Sequence, residues 1–278
     1  MIFIGGTGRS GTTALAMAFQ KDPRFAVFIE PRFIVFPGGL MDYVVSKSIT
    51  RGEFIENMED NFLPQMVRHI EGHQILPNGK AVYNAKLVRQ TDYTAGRFTR
   101  LRAEYARLFT IGLLGEIHKH LGSRRIVYKQ PHIIVWAGYL QWIYPTSKFI
   151  HIIRDPRDVC SSILERKWGP RTVDAFPAYY NKLLDDAFGA KLMVPYNRYI
   201  VVSLEALIAE PEQMMQRLYL FVGEKGPFRK VTKQMTEWIS PDLGHIGRYA
   251  DDLTTKQAQF IQAECGENYQ RWLDLSMR

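Results

Sequence analysis

The 278-residue sequence predicts an α/β protein: a doubly wound parallel sheet of about five strands flanked by helices, with a mainly helical insertion. Three observations predict it. Short apolar runs rich in β-branched and aromatic residues recur at 2–4, 25–29, 126–128, 149–153 and 199–202, each with the length of a strand buried on both faces. Helical patterns lie between them, and strands alternating with helices are the mark of parallel crossover connections. Polar turns marked by glycine or proline follow two of the runs, where the carboxyl ends of such strands hold ligands.

The first run enters Gly5-Gly6-Thr7-Gly8-Arg9-Ser10-Gly11-Thr12-Thr13, and the helix-prone Ala14-Leu15-Ala16-Met17-Ala18-Phe19 follows. A glycine-rich turn between strand and helix aims unpaired backbone N–H groups, backed by the helix dipole, at one point. This is a P-loop-like anion cradle. Compared with the nucleotide-triphosphate loop G-x-x-x-x-G-K-[ST], Thr12 stands where the lysine belongs, and Arg9 is the only cation in the loop. The cradle therefore lacks the group that handles a transferring γ-phosphoryl.

The second run ends at Glu30, followed by Pro31 and Arg32, so this carboxylate is expected at the same sheet edge as the cradle. Residues 38–97 are the least regular, broken by Pro64, Pro77 and Gly79. Residues 98–121 then place Leu101, Tyr105, Leu108, Phe109, Leu113, Leu114 and Ile117 at a helical period before Gly122. We expect a single domain over 1–278 in which 38–122 is a helical insertion covering a second ligand. Phe33, Phe36, Tyr43, Phe54, Phe62 and Tyr83 are its candidate pocket or core aromatics.

The third run leads to Lys129-Gln130-Pro131-His132, which puts an ammonium at another strand end. The fourth leads into Arg154-Asp155-Pro156-Arg157-Asp158, where Pro156 suits a first helical turn, and Ser162 falls eight residues after Arg154 on the new helix. A guanidinium fork with a hydroxyl suits phosphate oxygens. Arg166 extends this basic surface, whereas Glu165 and Lys167 read as a solvated helix face. Helical patterns cover 172–193, 211–222 and 255–273. The loop Gly244-His245-Ile246-Gly247-Arg248-Tyr249 precedes the last of them.

Arg9-Ser10-Gly11-Thr12-Thr13 resembles the [KR]-[ST]-G-T-[TS] loop of the sulfotransferases, which use 3'-phosphoadenosine-5'-phosphosulfate (PAPS) as donor and release adenosine 3',5'-bisphosphate (PAP). The spacing of Arg154 and Ser162 resembles that family's 3'-phosphate site. Phe28-Ile29-Glu30-Pro31-Arg32 and Lys129-Gln130-Pro131 are similar to the glutamate and lysine sites of its tyrosylprotein and heparan-sulfate branches. The resemblance implies that Gly8, Arg9, Ser10, Gly11, Thr12 and Thr13 seat the 5'-phosphosulfate. Arg154, Ser162, Arg166 and Arg248 would seat the 3'-phosphate, so that two separate cationic pockets clasp one nucleotide. Glu30 would be the base for an acceptor hydroxyl (or amine), with Lys129 and Arg9 offsetting charge on the leaving nucleotide. His132 is a second, lower-ranked base and fits a structural role better. No metal is required by this scheme. Ser203-Leu204-Glu205-Ala206-Leu207 departs from the family's Y-E-D-L run, which puts an adenine contact at Ser203 in doubt.

Composition is compatible with this reading without choosing it. With 36 Lys+Arg against 28 Asp+Glu, the formal charge of +8 favours an anionic cofactor, an acidic acceptor, a membrane surface or a nucleic acid. Two alternatives follow. A P-loop kinase or NTPase would use Asp155 as its metal-holding acid, against which the missing loop lysine argues. A non-catalytic nucleic-acid or membrane-surface binder would use Arg97, Arg100, Arg102 and Arg107, but these span several faces of one predicted helix. We therefore expect no nucleic-acid partner. The acceptor is a small molecule, carbohydrate, lipid or peptide hydroxyl. Cys160 and Cys265 show no metal-type spacing and are expected in the core. The sequence contains no apolar run of about eighteen residues and no signal-type segment, for which a soluble cytoplasmic protein is the expectation.

Overall fold

A computed structural model describes residues 1–31, 34, 39–46, 49–58, 104–108, 110, 124–240, 243 and 246–277. Its strands are β1 (Ile2–Gly6), β2 (Phe25–Ile29), β3 (Arg125–Lys129), β4 (Lys148–Ile153) and β5 (Tyr199–Ser203). All pair in parallel, in the order β2-β3-β1-β4-β5. The chain leaves the central β1 toward one edge and returns past it toward the other, so the topological switch lies at the carboxyl end of β1. Ligand crevices form there.

The sheet is covered on both faces, which explains why its strands are apolar without alternation. The described helices are α1 (Thr12–Gln20), α2 (Arg51–Glu56), α3 (Ala137–Ile143), α4 (Pro156–Leu164), α5 (Phe176–Leu192), α6 (Leu204–Ala209), α7 (Pro211–Val222), α8 (Phe228–Thr236), α9 (Tyr249–Asp252) and α10 (Thr255–Ser276). Against one face, Leu15 and Phe19 of α1 pack with residues of α6, α7 and α8, including Leu207, Leu218 and Met235. Against the other, Leu140 of α3, Val159 of α4, Tyr180 of α5 and Trp272 of α10 join the inner side of β3, β4 and β5. Cys160 and Cys265 are buried on this second face.

Local chemistry sets the helix ends that matter for the site. At α4, Pro156 occupies the first turn and the Asp155 carboxylate accepts the Arg157 N–H at 2.8 Å. A reciprocal pair, Thr254 with Gln257, opens α10. Helix α7 keeps the predicted bounds and ends on Gly223 at φ 83°. Helix α5 starts at Phe176, later than the apolar pattern suggested, and α10 runs on to Ser276.

Four strands extend beyond their apolar runs, β4 starting at Lys148 and β5 ending at Ser203. Strand β1 reaches Gly6 and β3 reaches Lys129, because ladder pairing continues past the last apolar residue: Glu30 N–H donates to Lys129 O at 2.7 Å and Gln130 N–H to Ile4 O at 3.0 Å. Within 38–122, Tyr43 and Phe54 are buried and stacked with ring centroids 4.6 Å apart, so they are core side chains. Phe33, Phe36, Phe62, Tyr83, Arg97, Arg100 and Arg102 lie outside the described residues, as do most of 38–122 and of the 98–121 helix pattern.

Candidate active site

The register of the sheet brings the ends of the strands into one row. Glu30 follows β2, Lys129 ends β3, the glycine-rich loop follows β1, Arg154 follows β4 and Leu204 follows β5. Read across the sheet, this is a carboxylate, an ammonium, an anion cradle, a guanidinium and an apolar shelf. They line one cavity of about 590 Å³.

The cradle is shaped by close approach. A side chain on Gly6 would place its Cβ 2.3 Å from Ile152 O and 2.4 Å from Ser10 Oγ. Gly8 and Gly11 take φ 76° and 82°, the left-handed region that favours glycine. Gly11 is also the residue preceding α1 and has no side chain to cap it, which leaves the helix's leading N–H groups for another acceptor. The fully buried Ser10 Oγ lies beside Gly6, has no hydrogen-bond partner among the described residues, and is not among the lining groups. Uncapped N–H groups at the cavity wall suit an anion.

Arg154 is buried and donates from Nη1 to Arg9 O at 2.7 Å, while Asp158, one turn later, lies 3.9 Å from its Nη2. Arg9 Nε donates to Ser162 Oγ at 2.8 Å. The two phosphate seats that the sequence separates are therefore one continuous wall, with Arg9 spanning them. Burial, then the guanidiniums of Arg166 and Arg154, disfavours the charge on Arg9, and Arg248 adds to the repulsion. Three mutually repelling arginines lining a cavity fit a multiply charged anion. Arg166 acts on Arg9 by charge and is not among the lining groups.

The loop carrying Arg248 is fastened to α4 by a residue that sequence reasoning overlooked. Asp158, 1% exposed, accepts the N–H groups of Gly247 and Tyr249, each at 3.0 Å. Its position one turn beyond Arg154 was the available signal. The Arg248 side chain lines the cavity and pairs with Asp252 at 2.6 Å and with Glu165, so Glu165 is a partner of the site and not a bystander on a solvated face.

At the other end, Lys129 Nζ donates to Glu30 Oε1. The lysine is 2% exposed and the glutamate 34%. Burial lowers the Lys129 pKa, Arg9 lowers it further, and Glu30 opposes both. Glu30 itself sits at φ 52°; it and Arg9, at φ 57°, are the described non-glycine residues with positive φ, and both line the cavity. Off-preference backbone held at two polar residues of one cleft is characteristic of functional sites. Tyr128 fixes the chain after Glu30: its hydroxyl donates to Pro31 O at 2.7 Å and accepts Ile34 N–H at 3.2 Å.

His132 is buried behind the cradle, 3.0 Å from the Tyr179 hydroxyl, which in turn donates to Thr7 O at 3.3 Å. Burial lowers its pKa to about 4. It lies outside the cavity lining. Ser203 is structural, since its hydroxyl caps α6 by accepting Ala206 N–H at 3.0 Å. Asp155, the metal-holding acid of the kinase alternative, is committed to capping α4 and pairing with Arg157 at 2.6 Å. The apolar lining comes instead from Leu204, Trp238, Ile239 and Leu243, with Trp168 packed over Gly8. These side chains come from separate turns, and no spacing in the sequence marked them.

Among the described residues, no helix is long and apolar enough to cross a membrane. A family model described as "Sulfotransferase family" matches residues 2–227. A Caenorhabditis briggsae protein whose name places it with the protein-tyrosine sulfotransferases is 25% identical over 236 residues, 80% of this chain and 65% of that protein. The omega-hydroxy-beta-dihydromenaquinone-9 sulfotransferase Stf3 of Mycobacterium bovis is 26% identical over 165 residues, 54% of this chain and 41% of that protein. The chain thus spans less than two thirds of the length of these relatives. The solved sulfotransferase domain from the curacin biosynthetic pathway overlays with a TM-score of 0.57 at 13% identity, covering 96% of this chain and 97% of that one, a likeness of fold.

Proposed function

Because this chain belongs to the sulfotransferase family, we propose that it transfers the sulfuryl group of PAPS to an acceptor hydroxyl, or amine, with Glu30 as base. The observation that carries the reading is the single cavity running from the Glu30–Lys129 pair, past the uncapped start of α1, to the mutually repelling Arg9, Arg154 and Arg248. A nucleotide with phosphates at its 3' and 5' positions has the length and charge to meet both basic regions. The uncapped start of α1, with Gly11, Thr12 and Thr13 in the lining, fits an anion bound there.

PAPS supplies, when bound, an electrophilic sulfonate on a leaving phosphate. The loop residues Gly8 to Thr13 would hold the 5' end by backbone N–H groups and hydroxyls. Arg154, Ser162 and Arg248 would hold the 3'-phosphate by charge-assisted hydrogen bonds, with Arg166 strengthening their field. Leu204, Trp238, Ile239 and Leu243 give the base of the nucleotide an apolar and aromatic surface. Glu30 takes the acceptor's proton as the acceptor oxygen bonds to sulfur. Lys129, a buried ammonium that lines the cavity, would stabilise negative charge on the leaving phosphate. Arg9, bridging the two ends, contributes to both.

The two named relatives point to a tyrosine hydroxyl and a lipid hydroxyl as acceptors to try first. The test is incubation with sulfur-labelled PAPS and a panel of tyrosine peptides, lipid alcohols, sugars and phenols. Label transferred to at least one class, and lost in Glu30→Gln, supports the proposal; no transfer to any class, with PAPS left intact, contradicts it.

A further inference from the structure

We propose that Glu165 and Asp252 are built-in competitors of the nucleotide's 3'-phosphate, holding Arg248 between visits so that spent nucleotide leaves quickly. This rests on the donor assignment above and names residues that set the affinity of that same site. The argument begins with what Arg248 touches. Its Nε donates to Asp252 Oδ2 at 2.6 Å and its Nη2 to Glu165, while the guanidinium also lines the cavity. Two of its three nitrogens are thus bonded to carboxylates of the protein itself. Asp252 is in turn held by the Ser161 hydroxyl, and Asp158 grips the backbone on both sides of Arg248 through the N–H groups of Gly247 and Tyr249. The backbone is fastened, so an exchange of partners falls to the guanidinium.

The contact is built to be exchanged. Glu165 is 48% exposed and Arg248 31%, a degree of solvation at which an ion pair contributes little and is readily given up to a better anion. A phosphate offers Arg248 a bidentate partner with more charge than one carboxylate. Glu165 also favours the charge on Arg9, so a single acid serves two arginines of the same wall. An entering 3'-phosphate displaces Glu165 from Arg248 and is repelled by it afterwards. The spent nucleotide still carries that phosphate, and product release limits many enzymes.

Calorimetric titration of wild type and Glu165→Gln with PAP and with adenosine 5'-monophosphate tests this, together with donor kinetics. Glu165 is at the surface, so the variant should fold normally. We expect PAP to bind about two- to fivefold more tightly to the variant, with the monophosphate unchanged. The maximal rate should fall while the rate at low PAPS is kept or raised. PAP affinity that is unchanged or weaker in the variant would overturn the proposal, as would equal tightening of both ligands, which would mark a general charge effect. Wild type failing to bind PAP at all would overturn the donor assignment and this inference with it.

Discussion

Replacing Glu30 by Gln removes the acid from a lysine that is 2% exposed, and two separate consequences follow from that burial. The first concerns the fold. Breaking a fully buried ion pair by removing one partner costs about 3–5 kcal/mol, but Glu30 is 34% exposed and water screens the pair, so a loss of about 1–3 kcal/mol is appropriate. In a chain of this size that lowers Tm by roughly 2–8 °C. Lys129 is already pushed by burial toward its neutral form and loses the one partner that opposes the shift. Adding Lys129→Met to the variant removes the stranded ammonium and should recover most of the stability. The second consequence concerns turnover. Loss of a general base costs about 10²- to 10⁴-fold, while PAP, gripped at the other end of the cavity, should bind within about threefold of wild type. Thermal unfolding, PAP calorimetry and labelled-sulfonate transfer, measured on wild type, the single variant and the double variant, separate the two. Turnover of Glu30→Gln within a few fold of wild type would refute the base. A Tm unchanged by Glu30→Gln and lowered further by Lys129→Met would refute the coupling of the pair.

Gly6→Ala should destabilise the fold by about 1–3 kcal/mol and weaken PAP binding at least tenfold, because its Cβ would meet Ile152 O at 2.3 Å, a backbone atom that moves only with β4; urea unfolding and calorimetry check both. Trp238→Ala should weaken PAP by about 1–3 kcal/mol, the usual range for base stacking on an aromatic side chain, with little change in Tm, since Trp238 is 46% exposed. Equal loss of affinity for inorganic phosphate would speak against stacking. Stability should fall on acidification below pH 6.5. Burial holds the pKa of His132 at about 4 and that of His151 at about 3, both beneath the unfolded value, so the unfolded chain binds more protons in this window. Stability present above pH 6.5 is lost as pH falls toward these values, by about 3 kcal/mol for His132 at pH 4. In urea unfolding at successive pH values, His132→Gln should flatten that slope by one proton.

How much of this was legible follows from where the signals lie. The strands could be read because both faces are covered, which makes them apolar runs, and the cradle because close approach at Gly6 and left-handed backbone at Gly8 and Gly11 demand glycine in sequence. Arg154 and Ser162 were readable because a strand end and the helix that follows fix their separation. The joining of the two phosphate seats was not, since Arg9 reaches Ser162 across 153 residues and only the pairing of β1 with β4 brings them together. Asp158 and Glu165 gained their meaning from a loop some ninety and eighty residues away, respectively, and looked like ordinary helix polars beforehand. The apolar shelf of the cavity escaped for the same reason. Leu204, Trp238 and Leu243 converge through tertiary packing, and Ser203, where the departure from the family's run put an adenine contact in doubt, caps α6.

The claim on which the rest depends is that one cavity grips an adenosine nucleotide by two phosphates, at its 3' and 5' positions. Parallel calorimetric titrations with PAP, adenosine 5'-monophosphate and magnesium ATP address it without any acceptor. The account predicts that PAP binds at least about tenfold more tightly than either of the others, and that Arg154→Met removes this preference while leaving monophosphate affinity within a few fold. Magnesium ATP or the monophosphate binding as tightly as PAP would contradict it.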